Sequence, residues 1–593
     1  MKKITRRNFL RAAGLCASLA ALSACGSTAA SGSAASASDS ASDSASASAA
    51  ASGYEGDLSD IIPKDTVTLT VYDQLSNYSG EQIGWFAKML LDKFNVKLNI
   101  IPDTDGAYQT RMESGDLGDL VLWGNSTDQY LGAVQKGMLL DWNEDDVLAD
   151  YGPYIAAHMS AALDKNKNLS GGTVYGFGYD VGVNPTDLTG FTYTWGTRWD
   201  LYKQMGYPQV DTMDDFCNLL IQMHELCPTD DNGNKAYAVS LFNDWDGAMV
   251  MFVKAMVSAY YGYDEFGIGF YDCQKQQYIP AMAKDSPYVE ALKFYNKLFQ
   301  AGALDPDSET QKYDGSTEDY RVGAALFNPF SFLGPDQYNT DEHTAAGKAM
   351  YPVVPTQAAP INYGQNIYGW ERVWSIGANT EYPELCMAII NWLCTPEGKL
   401  DDLYGPKDIC WYYDDQGNTC FTDLGKACKA DSSTQMTGDY SGAFKDGTDQ
   451  LNLTTWAIDA KNPDSNGEDY NCTHWKSNKT DASSDIEKDW RDKVSADSVD
   501  DYLASRQYVV APGTTYTASV KSDELTVTWN QVTDAVKTYS WKAMMAASDS
   551  EFDSVVAEML DKTASYGLDQ CDSFQQNEAT LRKAAEEAAL SAK

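Results

Sequence analysis

From Thr66 to Tyr72 (TVTLTVY) apolar and polar positions alternate, the period of a half-buried strand. Across Glu81 to Phe94 the period changes: Ile83, Phe86, Leu90, Leu91 and Phe94 fall on one side of a helix. Val96 to Ile101 (VKLNII) returns to a strand pattern. Strand, helix, strand in this order predicts a right-handed crossover and a parallel sheet. A short helix over Gln109 to Glu113, a turn at Gly115 to Asp119 and an apolar strand from Leu120 to Trp123 continue the unit. Helical periodicity recurs at Asp200 to Met205, Met213 to Leu226, Gly247 to Tyr261, Tyr288 to Ala301, Tyr382 to Cys394 and Glu551 to Ala564, with a strand at Ala236 to Phe242. No repeat of 20 to 50 residues is visible, which excludes solenoids and propellers. The pattern is α/β, and it runs too far for one sheet, so two lobes are expected.

The N-terminus carries an address. Lys2, Lys3, Arg6, Arg7 and Arg11 precede an Ala/Leu-rich run that ends at Ala24, too short for a membrane-spanning helix and suited to an export signal. Leu22-Ser23-Ala24-Cys25-Gly26 resembles the bacterial lipobox, in which the cysteine is diacylated and becomes the new N-terminus. Thr5 to Arg11 (TRRNFLR) also resembles the twin-arginine export motif, and an ordinary Sec signal fits the same residues. Residues 26 to 52 are almost purely Ser and Ala, with nothing to bury, as a tether requires. The expected organisation is a signal peptide over 1–24, a lipidated Cys25 and tether over 25–60, and the lobes beyond.

A net charge of -41 repels phosphate backbones, so nucleic acid is not expected as a partner. Apart from Cys16 in the signal and Cys25 at the anchor, ten cysteines remain, an even number that permits disulfides in an exported chain. Cys217/Cys227 and Cys410/Cys420 are local candidates, and free thiols are the alternative. There is no C-x-x-C, His is scarce, and counted from Asp230 the chain has Lys235 and Leu241 where a calcium loop needs Gly at position six and Glu at position twelve, so no metal or cofactor is expected. Nor is there a G-x-S-x-G, an H-E-x-x-H or a Walker A motif, and the four histidines are scattered, so no catalytic residue is assigned.

Six segments in order resemble those of one family. They are Arg111 to Trp123 (RMESGDLGDLVLW), Gly137 to Trp142 (GMLLDW), Thr173 to Phe177 (TVYGF), Arg198 to Gly206 (RWDLYKQMG), Leu298 to Pro306 (LFQAGALDP) and Tyr382 to Gly398. The chain resembles family 1 extracellular solute-binding proteins, the maltose-binding-protein class, and within it the larger LplA-like lipoproteins. That resemblance implies a type II periplasmic-binding-protein-like fold, two α/β lobes with a ligand cleft between them. Lobe one is expected over 66–185 and 318–372, and lobe two over 190–316 and 376–593, with crossings near 176–187 and 372–377. It also implies a monomeric carbohydrate receptor of an ABC importer, lipid-anchored on the outer face of a Gram-positive-type membrane and serving permease subunits. A surface adhesin or sensory lipoprotein is the alternative, and a glycan hydrolase a further one.

A sugar offers flat C–H faces and a rim of hydroxyls, so its site needs aromatic platforms beside planar polar side chains. At strand ends the sequence supplies Trp123, Asn125 and Ser126; Asn243, Asp244 and Trp245; and Trp370, Glu371 and Arg372. Trp195 with Arg198, Asn328 with Phe330, and Asp73 with Tyr78 complete the candidate ligand-binding set. Trp123 and Trp245 are expected as the two stacking platforms, with Trp142 as a packing residue.

Overall fold

The computed structural model describes residues 58–592 apart from 105; Cys25 and the tether lie outside the described residues. The described residues divide into two compact units, one of 58–177 with 371–412 and 422–453, the other of 178–370 with 413–421 and 454–592.

The first unit is built on a six-stranded sheet in the order Gly80–Glu81, Val96–Pro102, Val67–Asp73, Leu120–Trp123, Val373–Ile376, Gly176–Gly178. Val67–Asp73 lies parallel to both Val96–Pro102 and Leu120–Trp123, as the strand–helix–strand pattern predicts. Val373–Ile376 then runs antiparallel to Leu120–Trp123, with Val373 opposite Trp123. The helix Gly84–Phe94 turns Trp85, Phe86, Met89, Leu90 and Phe94 inward. Pro383–Cys394 is apolar all round and buried from Leu385 to Cys394, as a helix enclosed by its unit must be. Residues 422–453 belong here because they latch onto the first helix. Trp85 stacks on Phe444 at 5.2 Å and donates Nε1–H to its carbonyl at 2.8 Å, while Ser76 Oγ donates to the Gln450 carbonyl at 2.8 Å.

The second unit has Tyr193–Arg198 as the centre of a three-stranded antiparallel sheet between Phe327–Phe330 and Met350–Pro352. This pairing corrects the expected lobe boundary: residues 318–370 join the second unit because their strands hydrogen-bond to Tyr193–Arg198. Residues 376–412 and 422–453, expected in lobe two, belong instead to the first unit. The helices Met213–Leu226, Met251–Tyr261 and Pro287–Gln300 pack around one large apolar core. Met213–Leu226 opens with a capping box, Thr212 and Asp215 each accepting from the other's backbone N–H. The expected strand Ala236 to Phe242 is reduced to bridges, Tyr237 to Ala325 and Val239 to Leu304. Three helices close the chain, Asp523–Met544, Asp549–Ser565 and Leu568–Ser591, of which the sequence pattern marked only the middle one. The last docks through Arg582, which is buried against Asp264 at 2.8 Å and Glu586 at 3.2 Å.

The chain passes between the units at 177/178, 370/371 and 453/454, with a short excursion over 413–421. Within the second unit these three passages are zipped backbone to backbone. Trp370 N–H donates to the Tyr179 carbonyl at 2.9 Å, Val181 N–H to Thr455 at 3.0 Å, and Ala457 N–H to Val181 at 3.0 Å. Contact is close enough to require glycine: a Cβ on Gly178 would sit 2.3 Å from the Trp370 carbonyl, and one on Gly369, at φ +67°, 2.6 Å from the Gly178 carbonyl.

None of the ten described cysteines is in a disulfide, and all but Cys227 are buried. The Cys217/Cys227 candidate fails on geometry. Ten residues apart along and just beyond one helix, the two lie roughly 15 Å apart, about twice the reach of a disulfide. Cys217 turns instead to the Phe294 carbonyl and Cys420 to that of Asn418. Burial raises the Cys217 and Cys410 thiols to about 12. A thiol titration of the mature chain is therefore expected to find ten reactive groups in denaturant and one, Cys227, in the native state. A smaller number in denaturant would show that disulfides form.

Candidate functional site

The candidate residues divide into those that pack and those that are presented. Trp123 packs. It is fully buried, with Tyr72, Tyr108 and Tyr130 meeting its ring edge-on at 6.4, 6.3 and 5.7 Å. Three rings from the same unit cover it, so it is not the exposed platform expected from its place at a strand end. Trp142 is buried too, against Phe177. Trp195 is a core residue of the second unit, its Nε1–H donating to the Ala259 carbonyl at 3.1 Å. Arg198 is 3% exposed and held by a bidentate pair with Asp200 at 2.8 and 2.7 Å, its guanidinium over the Tyr338 ring. Asn328 is buried and accepts from the Phe330 N–H at 2.9 Å. These three are corrected from wall residues to structural ones, because each is already buried and engaged within its own unit.

Asp73 also turns inward. It is buried, and one carboxylate oxygen accepts the N–H groups of Leu75 and Ser76 at 2.8 and 3.1 Å, closing the turn after the first strand. Tyr78 is half-buried on the same turn and donates to the Glu81 carbonyl at 2.6 Å. Asn125 and Ser126 lie at the surface of the first unit, Asn125 Oδ1 accepting from Thr127 N–H at 3.0 Å. Trp370 is 51% exposed, Glu371 exposed and Arg372 half-buried, all at the second passage between the units.

Trp245 is presented. Its indole is 46% exposed although Phe242, beneath it, is fully buried and meets it edge-on at 5.1 Å. It stacks on Tyr313 at 4.8 Å and 23°, and Phe332, 37% exposed, lies 6.3 Å away, supported by Phe330 at 5.1 Å. Three rings from three separate stretches thus form one shelf. Asn243 and Asp244 hold it in place: Asn243 Nδ2 donates to the Glu309 carbonyl at 2.7 Å, and Asp244 takes the Tyr313 N–H at 3.0 Å and Lys312 at 2.7 Å. Lys312 and the Tyr313 N–H keep the Asp244 carboxyl below its ordinary range. From the other side, Asp246 accepts the Met251 N–H and the Trp541 Nε1–H, each at 2.8 Å. That bond explains why the helix begins at Met251 and not at Gly247. Tyr313 and Phe332 were not legible as site residues, since only the folded chain brings them beside Trp245.

Two open pockets lie on the same unit. One, of about 610 Å³, includes Phe332 in its wall; the other, of about 550 Å³, is lined by His474, Asp469 and Lys461 among others. Both share Gly190, Phe191 and Asp500. His474 sits 3.0 Å from Asp469, which raises its pKa. Among the described residues no group of three or more His, Cys, Asp or Glu is arranged to hold a metal ion. The Asp230 loop is closed on its own amides, Asp230 accepting from Asn232 and Asn234 at 2.9 and 2.7 Å.

No protein-family model matches the sequence, and no curated protein matches it. Among solved structures, an extracellular solute-binding protein from Bifidobacterium longum subsp. infantis is similar at 16% identity and a TM-score of 0.51, over 87% of this chain and 98% of that one. A solute-binding protein from Bifidobacterium longum infantis, described as HMO-binding and ABC-transporter-associated, is similar at 16% identity and a TM-score of 0.47, over 87% and 99%. The Streptococcus pneumoniae substrate-binding protein FusA, solved with kestose, is similar at 14% identity and 0.44, over 87% and 99%. The first of these establishes the fold: the chain folds as an extracellular solute-binding protein does. Among the described residues no helix is long and apolar enough to cross a membrane.

Burial lifts the Asp73 carboxyl to about 7 against an unfolded value near 3.9. The native state then holds a proton that the unfolded state releases, so stability falls as pH rises from about 4 to about 7. Asp401, also lifted to about 7 by burial, adds to the same slope. Denaturant unfolding across this window is expected to show the decline, and Asp73→Asn, which keeps the accepting oxygen, to flatten it. An unchanged slope in the variant would contradict the assignment.

Proposed function

We propose that the chain is the solute-binding component of an ABC importer, a non-catalytic receptor that captures a carbohydrate and delivers it to permease subunits. The observation that carries this reading is the exposed Trp245–Tyr313–Phe332 shelf. Exposed indole faces beside fixed polar groups suit the C–H face of a sugar ring, and the fold is that of a binding protein. The receptor acts as a monomer, and the lipobox-like segment and Ser/Ala tether support its anchoring by Cys25 to the outer face of the cytoplasmic membrane. Cys25→Ala is expected to release the protein into the medium; an unmodified N-terminus at another residue of the native protein would contradict the anchor.

A receptor that must also release its cargo is expected to bind in the micromolar range, about -8 kcal/mol. In calorimetric titration with the oligosaccharide that a thermal-shift screen selects, Trp245→Ala is expected to lose about 2 kcal/mol, roughly thirtyfold in affinity. Trp123→Ala is the control: it removes a core indole and is expected to cost about 3–5 kcal/mol of stability with little change in the affinity of the folded protein. Turnover of the sugar would show an enzyme. Binding unaffected by Trp245→Ala would move the site elsewhere.

A further inference from the structure

The 610 Å³ pocket beside the shelf has features the shelf alone does not explain. Phe332 belongs to both, lining the pocket and lying 6.3 Å from the Trp245 ring. Its wall combines apolar surfaces, Phe191, Phe332 and Pro335, with hydroxyl and carboxyl groups, Thr194 and Asp336. Thr194 is 3% exposed, yet its Oγ1 has no hydrogen-bond partner among the described residues. A buried hydroxyl left unpaired costs stability, and such groups are rare without a reason. The tertiary structure accounts for this side chain's position in the wall but not for its hydroxyl. The lining also holds two carboxylates, Asp336 and Asp500, and no Lys, Arg or His.

We propose that this pocket is a second saccharide subsite, so that the ligand is an uncharged oligosaccharide with one ring on the shelf and the next in the pocket, its hydroxyls bonded by Thr194 and Asp336. The inference rests on the receptor reading and adds ligand length and charge to it. A carboxylated sugar meets two like charges in this pocket and is rejected there.

The test uses the mature chain and its Thr194→Val, Asp336→Asn and Trp245→Ala variants. Each is titrated with malto-, manno- and fructo-oligosaccharide ladders from monosaccharide to hexasaccharide, and with a mannuronate ladder. Affinity for one neutral ladder is expected to step up when a second ring is added. Thr194→Val is expected to remove about three- to tenfold of that gain while leaving the shortest bound sugar unaffected. Because the hydroxyl is unpaired without ligand, the same variant is expected to be at least as resistant to heat as the parent. Asp336→Asn is expected to weaken the longer neutral sugars and to narrow the gap to the mannuronates. Losses in Trp245→Ala with none in Thr194→Val or Asp336→Asn would overturn the second subsite and leave the receptor reading standing. Tighter binding of mannuronates than of neutral sugars by the parent would overturn the charge assignment. No binding of any ladder would overturn the subsite together with the carbohydrate reading on which it rests.

Discussion

The architecture depends on one backbone constraint, the close pairing of three chain passages along the edge of the second unit. Tyr179 with Trp370, and Val181 with Thr455 and Ala457, join segments about 190 and about 275 residues apart. Each passage supplies hydrogen bonds that another lacks, so no passage can move without leaving backbone groups unpaired. Gly178 and Gly369 are where side chains are excluded so that this pairing can form. Because the passages are paired, the second unit is assembled from separate stretches of sequence and still closes its own core. The first unit closes by setting Phe444 on Trp85, and the second by sheet pairing of Phe327–Phe330 and Met350–Pro352 on Tyr193–Arg198.

Upon that frame the shelf is a local achievement of charge and hydrogen bonding. Trp245 stays exposed because the residues on either side are committed: Asn243 and Asp244 tie one flank to 309–313, and Asp246 ties the other to Met251 and Trp541. Fixing the loop from both flanks reduces the conformational entropy that binding would otherwise remove, which favours a preorganised platform. In a chain of net charge -41, Lys312 is spent on holding this loop and not on the ligand surface.

The regular elements were legible in the sequence because their period is local. Met213 to Leu226 matched residue for residue, and the first strand and helix to within a few residues. Assembly was not local, and there the sequence misled. A tryptophan at the end of an apolar strand reads the same whether it faces solvent or core. Trp123 is inside because Tyr72, Tyr108 and Tyr130 converge on it from three other elements. Trp245 carried the same ambiguity and resolved the other way. The placement of residues 318–370 in the second unit is not legible locally, because their strand partners lie about 130 to 155 residues upstream, with no periodic signal to announce the pairing. The long helices before and after Asp549–Ser565 escaped notice because their apolar stripes are diluted by polar residues along much of their length.

The central claim is that a sugar ring lies on the indole of Trp245, and a crystal structure of the protein with its selected oligosaccharide tests it most directly. The account predicts a pyranose or furanose C–H face within about 4 Å of the Trp245 ring, stacked beside Tyr313 and with the chain continuing past Phe332. A ligand bound on the first unit alone, with the Trp245 face still open to solvent, would contradict it.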